Sequence, residues 1–247
     1  MDGGGSVDRG GETMSELPAK PWRHERKFRA ALPQWTRAAA SCRRLMAPDP
    51  HAREDGDYFI RSTYLDSAAV GDLADNALGA LARKKIRLRV YSKQPENAVL
   101  ERKSKIGAWN RKERIVLGIE DAQAILGGDF GPLARIGTDA ALRFYADLAG
   151  GCYRPTACVE YEREAFELPF EDIRVTFDKA VRYSVSDLGL AGEKNATPLF
   201  PDGAAIVEVK YDTEFPRWLA QVLGALDEVQ VAASKYGLSL APWRWTP

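Results

Sequence analysis

The chain has 247 residues, enough for one large domain or two small ones. Lysine plus arginine equals aspartate plus glutamate, 35 against 35, which argues against bulk nucleic-acid binding by a basic surface. Cys42, Cys152 and Cys158 form no close metal-type pair and suit a reducing compartment. No apolar run approaches the roughly 18 residues that span a bilayer, and the amino terminus lacks signal-peptide order. We therefore expect a cytoplasmic protein that does not bind nucleic acid.

Residues 1–20 are rich in glycine and serine and predict a disordered tail, followed by a single domain over 21–247. In chain order the patterns predict a strand at 23–29, a helix at 33–46, a strand at 58–65, a short helix within 68–82, strands at 85–91, 98–105 and 111–117, helices at 120–127 and 131–149, strands at 155–166, 172–178 and 205–211, and a helix at 216–229. A polar loop is expected over 184–203. Because hairpins and short helices join the strands, an α+β protein is predicted, with an antiparallel sheet that curls or closes.

Charged residues recur at every second position inside the predicted strands. Arg87 and Arg89 alternate with apolar neighbours, and so do Glu208 and Lys210. Side chains two apart on a strand point to the same face of the sheet. Each of these strands therefore presents one apolar face and one charged face, and we expect the charged faces to meet around a polar interior.

The cations of these faces favour an anionic ligand. They are Lys27, Arg87, Arg89, Lys103, Arg163 and Lys210, with Arg174 and Lys235 as further candidates. Burying an unpaired charge costs several kcal/mol, whereas a whole domain is stable by about 5–15 kcal/mol. The interior must therefore be wet, internally paired or occupied by an anion. Arginine forks match phosphate oxygens, so a triphosphate or polyphosphate fits such a lining.

Carboxylates project onto the same faces: Glu25, Glu101, Asp178 and Glu208. Carboxylate oxygens suit Mg²⁺ or Mn²⁺, which usually bind through one or two carboxylates together with substrate phosphates. The composition is typical of a metal-assisted phosphate site. Any single pair is more typical of a surface ion pair worth about 0–1 kcal/mol, whereas the whole set, in which each pair has an apolar partner face, favours the phosphate site.

An ordered set of short motifs resembles the VTC domain, the polyphosphate-polymerase domain of vacuolar transporter chaperone proteins, in a stand-alone bacterial form. The motifs are E-R-K-F (25–28), I-R-S-T-Y-L-D (60–66), I-R-L-R-V-Y (86–91), L-E-R-K (100–103), Y-E-R-E-A-F (161–166), V-T-F-D (175–178), V-E-V-K (207–210) and S-K-Y (234–236). Each motif alone is weak, but the ordered set is specific. That family belongs to the triphosphate tunnel metalloenzymes, which are related to the CYTH group.

The resemblance implies a closed antiparallel β-barrel of about eight strands with flanking helices and a polar tunnel. It implies phosphate ligands at Lys27, Arg87, Arg89, Lys103, Tyr161, Arg163, Lys210, Ser234 and Lys235. It also implies a metal ligand at Glu208, with Glu25 and Glu101 as weaker candidates. The expected catalytic set is Arg87, Arg89, Lys103, Arg163 and Glu208. The expected ligands are ATP, triphosphate or polyphosphate with Mn²⁺ or Mg²⁺, and any membrane-protein or regulatory partner is expected to be a separate chain.

Three functions follow from this tunnel: a polyphosphate polymerase, a triphosphatase, and a non-catalytic polyphosphate- or nucleotide-binding module. One departure favours hydrolysis. The fungal polymerases resemble K-F-S-K near the carboxyl terminus, whereas this chain has Ala232, Ala233, Ser234 and Lys235, so one cation is missing.

The remaining candidate residues have simpler interpretations. His24 and His51 are too isolated for a catalytic triad. Asp66 is either a metal ligand or a cap of the segment that follows. Lys112 and Arg114 alternate on their strand and either extend the tunnel lining or lie outside it. Trp243 and Trp245 favour docking onto the barrel wall over base stacking.

Overall fold

A computed structural model describes residues 24–50, 52, 56–107, 109–168, 172–191, 195–212, 214–224, 226 and 235–240, without the side chains of 109 and 110. Several predictions concern residues outside these ranges: the tail at 1–20, His51, Ala232 (where the fungal polymerases carry a lysine), Ser234, Trp243 and Trp245.

The secondary structure follows the predicted order closely. The elements are β1 (His24–Ala30), α1 (Leu32–Leu45), β2 (Ala47–Pro48), β3 (Asp57–Asp66), α2 (Gly71–Leu78), β4 (Ala82–Val90), β5 (Asn97–Ile106), β6 (Trp109–Gly118), α3 (Ile119–Gly127), α4 (Gly131–Ile136), α5 (Asp139–Gly150), β7 (Arg154–Leu168), β8 (Ile173–Ser184), β9 (Thr197–Pro198), β10 (Ala205–Tyr211), α6 (Arg217–Leu223) and α7 (Lys235–Leu240).

All the strands belong to one antiparallel sheet, as predicted. Its order is β1-β10-β8-β7-β3-β4-β5-β6, and the two short strands β2 and β9 pair at the side with β7 and β8. Each neighbouring pair runs antiparallel. The prediction of an α+β protein with a large antiparallel sheet is confirmed.

Backbone hydrogen bonds between the described strands do not close the sheet into the predicted barrel. Among the residues that the structure describes, β1 and β6 are the two edges of the sheet and do not pair with each other. Val116, on the edge strand β6, remains 54% exposed. A side-chain contact crosses towards the opposite edge, because Lys103 Nζ on β5 lies 3.4 Å from Glu25 Oε2 on β1. The sheet therefore curls far enough for side chains to meet, without a continuous ladder.

Helices cover the apolar side of the sheet in two places. Residues of β4, β5 and β6, including Leu88 and Leu100, pack against α3, α4 and α5. Residues of β8 and β10, including Phe177 and Val207, pack against α1 and α6. These are the apolar partners of the alternating charges, so burial of this side fixes the direction in which the charges point.

The helix predicted over 131–149 is two helices. Gly137 ends α4 with φ of +68°, a left-handed conformation that glycine adopts without a Cβ clash. The Thr138 hydroxyl then accepts a hydrogen bond from the Ala141 backbone N–H and caps α5. A glycine followed by a capping residue is a stop-and-start signal that the hydrophobic periodicity across 131–149 concealed.

Asp66 anchors the segment after β3. It is fully buried, and its carboxylate accepts hydrogen bonds from the backbone N–H groups of Ser67, Asp72 and Leu73. The Tyr236 hydroxyl donates to the same carboxylate at 2.8 Å. The structure thus places Asp66 as the cap of α2, and through Tyr236 it also fixes α7 against the sheet.

We predict that Asp66→Ala lowers the free energy of unfolding by about 2–4 kcal/mol, because it leaves several buried donors without an acceptor. Urea unfolding followed by circular dichroism measures the loss. The matched control is Asp75→Ala, an exposed position on α2, which should change stability by no more than about 0.5 kcal/mol. Equal losses in the two variants would contradict the capping role.

Candidate functional site

Strand registers bring the alternating charges onto one face of the sheet. Lys27 lies opposite Glu208, which lies opposite Thr176 on the next strand. Arg163 lies opposite Asp178, and Arg87 lies opposite Glu101. We call this surface the charged face. Its members are Glu25, Lys27, Lys85, Arg87, Arg89, Glu101, Lys103, Lys112, Arg114, Tyr161, Arg163, Thr176, Asp178, Glu208 and Lys210.

At the β1–β10 edge, positive and negative side chains alternate both along each strand and across the strand pair. Glu25 faces Lys210 across the ladder, and Lys27 faces Glu208. Lys27 Nζ lies 2.5 Å from Glu25 Oε1 and 3.7 Å from Glu208 Oε2, and Lys210 Nζ lies 2.7 Å from Glu208 Oε1. Burial alone raises the pKa of Glu208, but Lys210, Lys27, Arg163 and Lys235 outweigh it and hold the pKa well below its usual range. The carboxylate is therefore ionised.

The centre of the charged face is built around Asp178. This carboxylate is fully buried and accepts two hydrogen bonds from the Arg163 guanidinium, at 2.6 and 2.8 Å. Lys235 of α7 pairs with its second oxygen and lies over the Tyr161 ring, 4.8 Å from the centroid. Tyr236, the next residue, stacks on Tyr64 at 4.6 Å. The short helix α7 is therefore held where Lys235 can reach the face.

Glu101 organises the cations of β4 and β6. It accepts a hydrogen bond from Arg87 Nε at 2.7 Å, and its oxygens lie 3.7 Å from Arg89 Nη1 and 2.6 Å from Lys112 Nζ. Burial alone raises the pKa of Glu101, but the charges of Arg87, Arg89 and Lys112 lower it overall. One carboxylate thus serves three cations and leaves an excess of positive charge.

Lys85 is a member of the charged face that the sequence interpretation missed. It precedes Arg87 and Arg89 by the same two-residue step, and that step was the available signal. Within the part of the chain that the structure describes, no carboxylate forms an ion pair with it. Burial and the nearby charges of Lys27, Lys103, Arg83 and Arg87 lower the pKa of Lys85 to about 8.

The position of Thr176 on the charged face indicates a bound ligand. Its side chain is only 3% exposed, and its hydroxyl has no hydrogen-bond partner among the described residues. It lies directly opposite Glu208. A buried hydroxyl without a partner is uncommon and costs about 1–3 kcal/mol, so an acceptor or cation bound beside Glu208 would remove that cost.

Some predicted residues lie away from this centre. Arg174 pairs with Asp49 and Glu167 at one end of the sheet. His24 stacks on Tyr211 at 5.1 Å, in keeping with a structural role. Ser234 lies outside the described residues.

The donor set can be tested against the predicted divalent metal. Within the described ranges, no group of three or more His, Cys, Asp or Glu side chains could hold a metal ion by itself. Burial and the Glu208 charge raise the pKa of the half-buried Glu25 carboxyl, but Lys27, Lys103 and Lys210 lower it overall. Glu208, with the unpartnered Thr176 hydroxyl opposite it and Glu25 near it, fits an ion that phosphate oxygens also coordinate. Such an ion would replace the lysine contacts of Glu208.

The comparison that decides the family is a match to a family model. Residues 22–244 match the model of the VTC domain, which covers nearly the whole chain. The chain belongs to the VTC domain family. The resemblance carried by the ordered motifs is thereby confirmed. At the family level, a VTC domain implies ligands of the phosphate or nucleotide class and a triphosphate-tunnel type of domain.

Other comparisons add less. None of the curated proteins matches this VTC domain in sequence. A crystal structure of a protein from Bacillus halodurans, provisionally assigned as an adenylate cyclase, has a TM-score of 0.48 and 14% identity, over 76% of this chain and 80% of that one. The PH1819 protein of Pyrococcus horikoshii OT3 has a TM-score of 0.48 and 11% identity, over 90% and 96%. No described helix of the VTC domain is long and apolar enough to cross a membrane.

We predict that Glu101→Gln destabilises this VTC domain by about 3 kcal/mol at neutral pH, because it leaves the buried Arg89 and the partly buried Arg87 without their shared counterion. The folded-state pKa of Glu101 is lowered, so its contribution is present above the unfolded pKa and is lost as the pH falls. The difference in urea unfolding between wild type and variant should therefore shrink in acid.

The control for this comparison is Glu96→Gln, at an exposed loop position. That variant should differ from wild type by no more than about 0.5 kcal/mol at any pH. A Glu101→Gln difference that stays constant with pH would contradict the counterion role.

Proposed function

We propose that this VTC domain is a metal-dependent phosphotransferase that makes polyphosphate from ATP on the charged face. One observation carries the proposal: on the charged face of the described sheet, lysine and arginine outnumber the carboxylates that pair with them. Glu101 alone is shared by Arg87, Arg89 and Lys112. Such an excess is stable only when water or an anion balances it, and a phosphate chain supplies negative charge along its whole length.

Two groups of cations bind different parts of the phosphate chain in this proposal. Arg87, Arg89, Lys103 and Arg163 hold the γ-phosphate and its neighbours, because their forked or mobile donors match phosphate oxygens. Lys27, Lys210 and Lys235 extend the binding along the chain, with Tyr161 beside Arg163. Burial alone raises the pKa of Tyr161, but Arg163, Arg89 and Lys235 lower it overall, so its hydroxyl lies in a strongly positive environment. Ser234 is proposed as a further phosphate contact.

The chemistry needs no protein nucleophile. A terminal oxygen of the growing chain attacks the γ-phosphorus and forms a new P–O bond. The bond between that phosphorus and the β–γ bridging oxygen breaks, and ADP leaves with the electron pair. The protein contributes by aligning two anions that would otherwise repel each other and by neutralising the charge that spreads over the transferred group.

Glu208 is the proposed metal ligand, with Glu25 beside it. A bound Mn²⁺ or Mg²⁺ supplies charge neutralisation at the phosphate oxygens. Glu101 is a poorer candidate than the sequence suggested, because Arg87, Arg89 and Lys112 share its oxygens. Among the described residues, Glu208 pairs with two lysines and no arginine. We propose it as a counterion. The same proposal places the domain in the cytoplasm, where ATP is available.

Hydrolysis is the second candidate. Ala232 stands where the fungal polymerases carry a lysine, so a long product is held by one cation fewer. With water as acceptor, the same face would give a triphosphatase. A binding module without turnover is the third outcome, and it retains triphosphate affinity in every metal condition.

The direct test incubates the protein with ATP and Mn²⁺ and measures polyphosphate and free phosphate separately. Polyphosphate with ADP supports the polymerase, whereas free phosphate without chains selects the triphosphatase. Independently of turnover, triphosphate at one hundred times its dissociation constant should stabilise the fold by about 2.7 kcal/mol. The absence of any thermal shift with triphosphate would overturn the ligand class itself.

Glu208→Gln should lower metal-dependent turnover by about 100-fold, because the amide cannot replace an ionised metal ligand. Its triphosphate affinity, measured without metal, should stay the same or rise, since one negative charge is removed from the face. Glu120→Gln, at an exposed helix position, is the control and should be as active as wild type. Full activity of Glu208→Gln would rule out this metal site.

Thr176→Val should separate binding from stability. Removing a hydroxyl that has no partner should leave the free protein as stable as wild type, or more stable. It should nevertheless weaken metal–triphosphate binding about fivefold to tenfold. Thermal melts with and without the ligand measure both effects, and a variant that loses stability while keeping affinity would contradict a ligand contact at Thr176.

A further inference from the structure

The charged residues of β4, β5 and β6 lie in rows across the sheet. One row runs from Arg87 through Glu101 to Arg114, so a carboxylate separates two cations. The adjacent row runs from Lys85 through Lys103 to Lys112 and contains three lysines. The row after it begins with Arg83 opposite Lys105. Charge balance is therefore lost along this end of the charged face.

Two lysines of this row pair with carboxylates outside it. Lys112 Nζ lies 2.6 Å from Glu101 Oε1, and Lys103 Nζ lies 3.4 Å from Glu25 Oε2. Lys85, at the β4 end of the row, forms no ion pair with a carboxylate in the described ranges. Arg83, two residues earlier, donates to the Ala80 carbonyl oxygen.

Like charges directly opposite each other destabilise a sheet. A protein could avoid that cost by exposing the side chains or by placing a carboxylate among them. Lys85 is only partly exposed, and Lys27, Lys103 and Arg87 surround it. A multiply charged anion would remove the repulsion, and the lysines keep enough exposure to admit one.

We propose that Lys85 is a further phosphate ligand of this site. With Lys103 and Lys112 it forms a subsite for one phosphate group, and no described carboxylate competes with that phosphate for Lys85. The proposal rests on the proposed function, because it extends the phosphate-binding face by one residue. The ligand class is an inorganic or nucleoside oligophosphate whose outer phosphate reaches the lysine row.

Proton uptake follows from this assignment. The groups that face Lys85 are Lys27 of β1, Lys103 of β5, and Arg83 and Arg87 of its own strand; burial and these charges lower the pKa of Lys85 to about 8. A bound phosphate favours the protonated amine and raises that pKa. The site therefore takes up a proton when it binds near pH 8, and its affinity falls as the pH rises further.

The first test measures binding of inorganic tripolyphosphate at neutral pH. Lys85→Gln should weaken it about tenfold, because a charge-assisted hydrogen bond is lost, whereas Lys85→Arg should stay within about twofold of wild type. The control is Lys93→Gln, which removes one positive charge from an exposed loop position, and it should bind as wild type does. Equal affinities of wild type and Lys85→Gln, or an equal loss in Lys93→Gln, would overturn the subsite.

A stability measurement guards against misfolding. The free Lys85→Gln protein should be as stable as wild type, or more so, because it lacks an unsatisfied cation. Since the folded-state pKa of Lys85 is below its unfolded value of about 10.5, the wild type should gain stability relative to this variant as the pH rises above about 8.

The second test is calorimetry near pH 8 in two buffers with different heats of ionisation. Wild type should take up more protons on binding tripolyphosphate than Lys85→Arg, whose guanidinium stays charged. Identical proton uptake would overturn the assignment. The results that contradict the two proposals are different. If the wild type does not bind tripolyphosphate, the proposed function is wrong. If the wild type binds and turns over its substrate, and Lys85→Gln binds tripolyphosphate with the same affinity, only the Lys85 subsite is wrong.

Discussion

The constraint on which this structure depends is that one sheet must bury an apolar side and carry a dense set of charges on the other. The β-strand makes this possible, since its side chains alternate between faces. Leu88 and Val207 pack under helices, and that packing commits their neighbours Arg87 and Glu208 to the opposite side. A slip of one residue would bury the charges in the apolar layer, so the hydrophobic pattern also sets the register of the site.

Counterions then decide which charges the fold can tolerate. Asp178 holds Arg163 and Lys235, and Glu101 holds the cations of β4 and β6. Each carboxylate is shared, so positive charge remains unbalanced when all the carboxylates are used. The excess is concentrated near the row that begins at Lys85, and the orphan hydroxyl lies beside Glu208. A binding face is thus recognised as much by its unbalanced charges and unpartnered hydroxyl groups as by the ion pairs that its residues form.

Much of the fold could be predicted because its signals are local. The two-residue charge alternation and the helix-forming stretches predicted nearly every long element in the right order. The errors also have local causes. Hydrophobic periodicity ran through Gly137, so two helices were predicted as one. Barrel closure is not a local property: it depends on how strongly the whole sheet curls, and β1 and β6 remain edges among the described residues.

The sequence by itself determined which side chains share a face and, through its ordered motifs, the VTC family. Alternation along each strand is short-range and fixed by backbone geometry. Only the tertiary structure decided which charges neutralise one another, because an ion pair such as Lys103 with Glu25 joins residues distant in sequence across the curl of the sheet. For the same reason, only the structure showed that Lys85 stands opposite a lysine and that the Thr176 hydroxyl has no partner within the described chain.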